Sequence, residues 1–303
     1  MDGQGKLMNW IKVAHPWAIP ASASPALVGF SYVFYLNNTG VLTGVNWSFG
    51  ALALLGAIIF HLSGNLISEY HDYMSGVDIK EKTGPERLIV QGLFKPKTVL
   101  YYGYSVLLAG IILGIYLLVH TGLPMLAFGF IGIISSTLYY RFKYMALGDL
   151  IIFISYGLAI ALGVAYVMTG LLIWPVLLVV TPTGLLVVAI LHANNTRDML
   201  QDKAAGIRTQ AMRLGVEGSQ VVYQTLLLLA YLLIAVAVWM QLLTPLAFAV
   251  FLSFPLAMKG IRLMKKVTLE DLGIIHFLDT DTAKLVLIFS LLLATANFVA
   301  PFL

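Results

Sequence analysis

Two polar segments carry the residues of this sequence whose types and spacing could do chemistry. Each places an asparagine and two carboxylates along one face of a helix end: Asn65, Glu69 and Asp72 in the first, and Asn195, Asp198 and Asp202 in the second. Carboxylates at the C-terminal end of a helix lie at the negative end of its dipole and need cations nearby. Oxygen ligands without cysteine favour a hard ion such as Mg²⁺, which commonly joins a few carboxylates to substrate phosphates. The two stripes therefore predict a diphosphate bound through Mg²⁺.

The two segments look like copies of one motif at an offset of 130 residues. Three residues recur: Asn65, Asp72 and Gly76 in the first copy, and Asn195, Asp202 and Gly206 in the second. Six basic residues nearby could take anionic oxygens: Arg87, Lys95, Lys97, Arg197, Lys203 and Arg208. One acidic stripe alone could equally mark a membrane interface, and any one basic residue could serve only topology. The duplication favours a binding site over these simpler interpretations.

The composition places the helices that position these stripes in a membrane. Of the 303 residues, 60% are hydrophobic and 11% are charged, and the mean hydropathy is +0.91, whereas soluble domains are nearer half apolar and a quarter charged. Nine stretches are long and apolar enough to cross a bilayer: 18–36, 47–71, 98–119, 123–140, 149–170, 174–196, 219–242, 244–264 and 283–303. The absence of cysteine excludes disulfides and thiolate chemistry. The net charge of +4 comes without an RNP, zinc-finger or P-loop pattern, so no nucleic acid is expected.

The connecting loops alternate between uncharged and charged. The uncharged loops are 37–46, 120–122, 171–173 and 242–244, and the loops rich in charge are 72–97, 141–148, 197–218 and 265–282. The positive-inside rule makes the charged side cytoplasmic. This predicts a multi-pass protein of the cell membrane, with the N-terminus and the two motifs on the cytoplasmic side and the C-terminus outside.

We expect an all-α, polytopic membrane protein with nine transmembrane helices, arranged as two parallel four-helix repeats plus one helix around a central cavity. The repeat halves are 17–146 and 147–264, and the additional helix is 283–303. Together, residues 17–303 form a single transmembrane domain. Residues 1–16 form an interfacial amphipathic segment. Because four spans separate the two motifs, both open on the same face.

The two motifs resemble those of the UbiA superfamily of intramembrane prenyltransferases. The segments NLISEYHDYMSGVD and NNTRDMLQDKAAGIRTQAMRLG are similar to its first and second Asp-rich motifs. Further similarity lies in GPERLIVQG (Gly84 to Gly92), in Tyr139 with Tyr140, and in Gly148 with Asp149. The resemblance points to the menaquinone branch, the 1,4-dihydroxy-2-naphthoate polyprenyltransferases of the MenA type.

The resemblance, with the basic and aromatic residues beside the motifs, implies a role for each site residue. The metal ligands would be Glu69, Asp72, Asp78, Asp198 and Asp202. The substrate-binding residues would be Asn65, Arg87, Tyr140, Lys143, Asn194 and Asn195, and the catalytic residues Tyr139, Arg197, Lys203 and Arg208. In the first motif, Ser68-Glu69 replaces the family's usual Asn-Asp pair, so Asn65 is expected to supply the ligand that Ser68 lacks. Alternatively, Glu69 only pairs with a nearby basic residue.

The implied reaction is Mg²⁺-dependent transfer of a polyprenyl group, such as geranylgeranyl, from its diphosphate to an aromatic acceptor. The expected acceptor is 1,4-dihydroxy-2-naphthoate, in menaquinone biosynthesis. An allylic C–O bond ionises once its leaving group is neutralised, and the electron-rich ring then attacks C1. Water would trap the cation, so the reaction must be buried, with the isoprenoid tail in membrane lipid. Tyr139 and Tyr140 could hold the cation against their rings, or could belong to an interfacial aromatic belt.

Other functions fit the same residues. The acceptor could be 4-hydroxybenzoate, homogentisate or a glyceryl phosphate ether of archaeal lipids. In a different class, parallel repeats with charges near a central cavity also describe a secondary transporter, although transporters place their sites near the midplane. His61 and His192 lie within spans, where a neutral histidine bonded to a helix carbonyl is the simpler interpretation. Asp149 and Asp279 open helices, where capping accounts for them.

Overall fold

The computed structural model describes residues 3–79 and 87–303, with side chains from Leu7 onward. This part of the chain is helical and contains no β-strand. Its helices, numbered here in chain order, are α1 (Gly3–Lys12), α2 (Pro20–Asn38), α3 (Trp47–Met74), α4 (Pro96–Thr121), α5 (Met125–Tyr144), α6 (Gly148–Thr169), α7 (Pro175–Arg197), α8 (Met199–Ala204), α9 (Gln210–Trp239), α10 (Pro245–Met264) and α11 (Leu272–Phe302). Residues 84–86 of the GPERLIVQG stretch and the first two residues of segment 1–16 lie outside the described residues.

Eight of the described helices are long and apolar enough to cross a membrane, namely α3 to α7 and α9 to α11. The chain is therefore a multi-pass membrane protein. The expected count of nine spans is not confirmed, because α2 qualifies only together with the preceding Leu7–Ala18, from which it bends by 57°. The proline, serine and asparagine residues of α2 lower its hydropathy below that of the other spans.

Helix α7 is the most buried of the membrane-spanning helices, and α2, α6, α9 and α11 all pack against it. A glycine pair brings α6 and α7 together: a Cβ atom on Gly184 would lie 2.5 Å from the Cα atom of Gly157. Any larger residue at Gly184 would push the two helices apart, since backbone lies opposite. Helix α7 ends in the second motif, so this packing fixes where that motif lies.

Helix α6 contains a π-helical segment, Phe153–Ala159. Such segments interrupt the regular i to i−4 hydrogen bonding and are frequent at functional sites. Tyr156 lies within this segment and is half-buried, facing the interior cavities described below. The widened turn thus sets the position of an aromatic ring inside the bundle.

Helix α1 precedes the first span and lies against the loop before α4. The Trp10 ring packs edge-on against Phe94 and Tyr102, with ring centroids 4.6 and 5.2 Å apart. Leu7 and Ile11 are exposed, as expected for a helix that rests on lipid. The boundary of the interfacial segment at residue 16 and the division into two repeat halves stay predictions.

Candidate active site

The first motif, at the C-terminal end of α3, is held by the C-terminal end of α5. Lys143 Nζ donates to Asp72 Oδ2 at 3.2 Å, and the Tyr144 hydroxyl donates to Asp72 Oδ1 at 2.6 Å. Both Lys143 and Asp72 are buried, so this pair is sheltered from water. Lys143 was expected to bind substrate. Tyr144 was missed by the sequence analysis, which considered only the two preceding tyrosines.

Arg87 joins the other two carboxylates of the first motif. Its Nη1 atom donates to Glu69 Oε2 at 3.0 Å, and its Nε atom lies 3.5 Å from Asp78 Oδ1. Burial acts to lower the pKa of Arg87, but the carboxylates of Asp78 and Glu69 outweigh it and raise this pKa above its usual value. His15, just before α2, also contacts Glu69, with Nε2 2.9 Å from Oε2. Glu69 thus has the basic partners that the alternative interpretation requires, and its role as a metal ligand stays a prediction.

The second motif is held by a buried arginine. Arg197 binds Asp198 through two atoms, Nε to Oδ1 at 2.7 Å and Nη2 to Oδ2 at 3.2 Å. Its Nη1 atom donates to Asp279 Oδ2 at 2.7 Å, and Asn194 donates to the same oxygen at 3.2 Å. Asp279, interpreted from sequence as a helix cap, lies instead within the first turn of the α-helical segment, whose N-cap is Phe277; it accepts from the Thr280 backbone at 2.8 Å and ties α11 to this motif. Arg197 therefore fixes the end of α7 to the start of α11.

The two motifs lie near each other in the fold. Lys143 lies within electrostatic range of Asp202 as well as Asp72, and Arg87 within range of Asp198 as well as Asp78. A cavity of about 240 Å³, here called the chamber, lies beside them, although none of the five carboxylates expected to bind metal lines it. Its polar lining includes four of the expected site residues: Asn65, Arg87, Tyr139 and Asn194. The duplicated sequence pattern thus corresponds to two clusters within electrostatic range of each other.

The other eleven expected site residues do not line this chamber. Lys203 and Arg208 line an open groove between α8, the start of α9 and the loop after α10, and they do not line the chamber. The Tyr140 ring stacks on the imidazole of His71, with centroids 3.7 Å apart and planes at 10°. The spacing of residues on a helix face could not predict that Lys203 and Arg208 lie away from the chamber. Their position depends on the short helix α8 and on the sharp turn at Gly206.

The donor atoms of the two motifs suit Mg²⁺ held jointly with a substrate. Within residues 3–79 and 87–303, no three histidine or carboxylate groups lie close enough together to form an all-protein metal cage. Mg²⁺ rarely needs one, because one or two carboxylates plus substrate phosphates commonly complete its shell. The amide oxygen of Asn195 is buried and has no hydrogen-bond partner among the described residues. An unsatisfied buried oxygen of this kind is a fitting metal or water ligand.

The chamber, which charged and amide side chains line in part, continues into a more apolar channel. Three residues line both the chamber and a second, apolar cavity of about 100 Å³: His61, Ser135 and Tyr156. We call these three residues the neck. The apolar cavity in turn shares Phe60 and Gly129, among others, with a crevice of about 460 Å³ between α4 and α5. Polar and apolar space thus join end to end, as an amphiphilic ligand requires.

Comparison with known proteins identifies the class of protein to which this fold and site belong. A model of the UbiA prenyltransferase family matches residues 22–272. The UbiA prenyltransferase domain-containing protein 1 of Danio rerio is 33% identical over 242 residues, which covers 78% of this chain and 70% of that protein. The Homo sapiens protein of the same name is 34% identical over 238 residues, covering 76% and 68%. The Drosophila melanogaster homolog is 30% identical over 299 residues, covering 96% and 79%.

Solved structures share the fold. A UbiA homolog from Aeropyrum pernix K1 superposes with a TM-score of 0.68 at 17% identity, covering 92% of this chain and 98% of the other. A UbiA homolog from Archaeoglobus fulgidus bound to DMAPP and Mg²⁺ gives a TM-score of 0.58 at 16% identity, with the same coverage.

The chain belongs to the UbiA prenyltransferase family. It is therefore an intramembrane enzyme that transfers prenyl groups, and these relatives lend no support to the transporter alternative. They do not confirm the resemblance to the menaquinone branch in particular, which stays a prediction.

Proposed function

We propose that this enzyme transfers a polyprenyl group from its diphosphate, bound through Mg²⁺ at the two motifs, to 1,4-dihydroxy-2-naphthoate. The observation that carries the proposal is the junction at the neck between a charged chamber and an apolar channel. A prenyl diphosphate has the same two-part chemistry. Its diphosphate belongs in the chamber and its tail in the channel, which places the reacting carbon, C1, near the neck.

In this proposal the carboxylates Asp72, Asp78, Asp198 and Asp202 hold Mg²⁺, with Asn65, Asn195 and Glu69 around them. When bound, Mg²⁺ supplies positive charge that neutralises the diphosphate leaving group. Lys143 and Arg87 lie beside these carboxylates and add fixed positive charge, Arg87 at the chamber wall itself. Such preorganised charge stabilises a leaving group more in a water-poor site than in water.

The aromatic rings beside the chamber would stabilise the allylic cation. Tyr139 and Tyr156 both line the chamber, and Tyr156 also lines the neck. The face of an aromatic ring attracts a cation, more strongly where water is excluded. The surrounding helices keep bulk water from trapping the cation before the acceptor attacks. Tyr140 does not line the chamber. It stacks on His71, and in this proposal it supports the site from outside the chamber.

The apolar channel would hold the isoprenoid tail. It runs from the neck past Gly129 and Gly114 to the crevice between α4 and α5, whose lining is almost entirely apolar. Leu126 and Phe130 in that crevice are exposed on the outer surface, where lipid would surround them. A long prenyl chain can therefore pass from the chamber into the bilayer. We assign the polar end of the bundle to the cytoplasm, where soluble acceptors are supplied.

The proposal is tested by product analysis with a panel of acceptors. Purified enzyme is incubated with geranylgeranyl diphosphate, Mg²⁺ and one of four acceptors: 1,4-dihydroxy-2-naphthoate, 4-hydroxybenzoate, homogentisate or a glyceryl phosphate ether. Mass spectra of the extracted products identify which acceptor gains a geranylgeranyl group. We expect the naphthoate product to form fastest. Faster prenylation of another acceptor would overturn the acceptor assignment while retaining the prenyl transfer.

A further inference from the structure

We propose that His61 is the general base that takes the hydroxyl proton of the acceptor. This inference rests on the proposed function, because it assumes an acceptor with a hydroxyl group. His61 lies on α3, one turn before Asn65. It is about 12 Å along the helix from Glu69 and therefore lies deeper in the bundle than the carboxylates. It has no place in the metal or diphosphate site described above.

The proposal assigns His61 the tautomer with its proton on Nδ1. The Ser22 hydroxyl lies 3.2 Å from the backbone carbonyl of Ile19, to which it can donate its single proton. With that proton so used, Nδ1 is the donor in the 3.0 Å contact between His61 Nδ1 and Ser22 Oγ. With its proton on Nδ1, the imidazole carries the lone pair on Nε2. The expected bond to a helix carbonyl is not made; a side-chain hydroxyl orients the ring instead.

His61 lies at the neck, where the proposed function puts the reacting carbon. His61 is a neck residue, so it borders both the polar chamber and the apolar cavity. The His61 ring packs edge-on to Tyr156, with centroids 5.0 Å apart and planes at 84°. Ser22 on one side and Tyr156 on the other fix the direction of the imidazole. A base held in this way is ready to receive a proton without reorganisation.

The proton transfer completes the reaction in a balanced way. The C1–O bond of the prenyl diphosphate breaks, and its electron pair leaves with the diphosphate. The acceptor ring supplies the electron pair of the new C–C bond to C1. The proton of the acceptor hydroxyl moves to His61 Nε2, so the alkylated ring becomes a neutral ketone that can then regain aromaticity. The imidazolium returns its proton to water on the polar side after the diphosphate leaves.

The test compares two reactions of one His61→Ala variant. The first is prenyl transfer to the acceptor, followed by product mass spectrometry. The second is release of diphosphate without acceptor, which requires ionisation but no base. We expect transfer to fall by about 10²- to 10⁴-fold, diphosphate release to fall far less, and added imidazole to restore part of the transfer. His120→Ala is the matched control, because His120 lies on α4 at the other end of the bundle and bonds only to its own helix.

Three outcomes would overturn the assignment. Transfer by His61→Ala at the wild-type rate would show that no base is needed there. An equal loss of transfer and diphosphate release, without rescue by imidazole, would show a structural role only. Failure of the wild type to prenylate any hydroxylated acceptor would instead remove the proposed function, and the assignment of His61 with it. A His61→Asn variant, which can still donate to Ser22, serves where the alanine variant unfolds in detergent.

Discussion

Tyr144 and Asp72 are joined by a 2.6 Å hydrogen bond that links the ends of α5 and α3. The bond reaches Oδ1, while Lys143 holds Oδ2, so adjacent residues of α5 fix both oxygens of one carboxylate. Because this carboxylate belongs to the first motif, its orientation depends on residues that are not part of either motif.

Replacing Tyr144 with phenylalanine should weaken catalysis without unfolding the protein. A hydrogen bond to a charged group contributes about 1.5–3 kcal/mol, so kcat/KM should fall roughly 10- to 100-fold. The measurement is the initial rate at low prenyl diphosphate. Tyr104→Phe on the exposed face of α4 is the matched control. An unchanged kcat/KM in Tyr144→Phe would show that Asp72 needs no such support.

Asp72→Asn and Asp202→Asn should each abolish turnover while the protein stays folded in detergent. Each change removes a charge from one motif, and the proposed metal site uses both motifs. Asp281→Asn is the control. Asp281 lies on the surface, near the same end of α11 as Asp279, and pairs with Lys259 and Lys284 rather than with either motif. Near-normal activity in either motif variant would remove that carboxylate from the metal assignment.

The duplicated motif predicted that the carboxylates at the end of α3 and just after α7 lie near one another, and hydropathy located these two helices. Helix periodicity put Asn195, Asp198 and Asp202 on one helix face, whereas α7 ends before Asp198, and Asp202 lies on the separate helix α8. The partners of these carboxylates come from distant segments: Lys143 and Tyr144 from α5, and Asp279 from α11. No spacing rule connects residues that only tertiary packing brings together.

The contribution of His15 illustrates the same limit. It has φ of 54° at the junction before α2, an uncommon conformation for a residue other than glycine. This turn directs its imidazole to Glu69, more than fifty positions later in the chain. A single histidine beside a proline carries no signal of that contact. The groove position of Lys203 and Arg208 was equally hidden, because it depends on how the chain turns after α8.

Channel width should control which prenyl diphosphate the enzyme prefers. A Cβ atom added at Gly129 meets nothing within 4 Å, and Gly129 lines both the apolar cavity and the outer crevice. Gly129→Leu should therefore fold normally and fill the path of the tail. We expect the ratio of kcat/KM for geranylgeranyl diphosphate to that for dimethylallyl diphosphate to fall at least tenfold, about 1.4 kcal/mol of lost tail binding.

Ala109→Leu on the exposed face of α4 is the control for this change, because Ala109 lines neither cavity. If Gly129→Leu keeps the wild-type preference for the long substrate, the tail takes another route out of the chamber.

Glu69 and Arg87 should be energetically coupled. Their side chains are 2% and 20% exposed, so removing one partner leaves a sheltered charge with only its second partner, His15 for Glu69 or Asp78 for Arg87. Glu69→Gln and Arg87→Met should each destabilise the protein by on the order of 3 kcal/mol, and the double variant by much less than the sum. Thermal unfolding in detergent measures the three changes. Additive losses would mean that the contact contributes nothing.

The central claim is that both motifs bind one diphosphate through Mg²⁺, and binding of a non-hydrolysable geranylgeranyl diphosphate analogue tests it most directly. Titration calorimetry on the wild type is run with Mg²⁺ and with EDTA, and repeated with Mg²⁺ on Asp72→Asn and Asp202→Asn. The account predicts tight binding only to the wild type with Mg²⁺, and weakening by a change in either motif. Equal affinity in Mg²⁺ and EDTA, or full affinity in either variant, would contradict it.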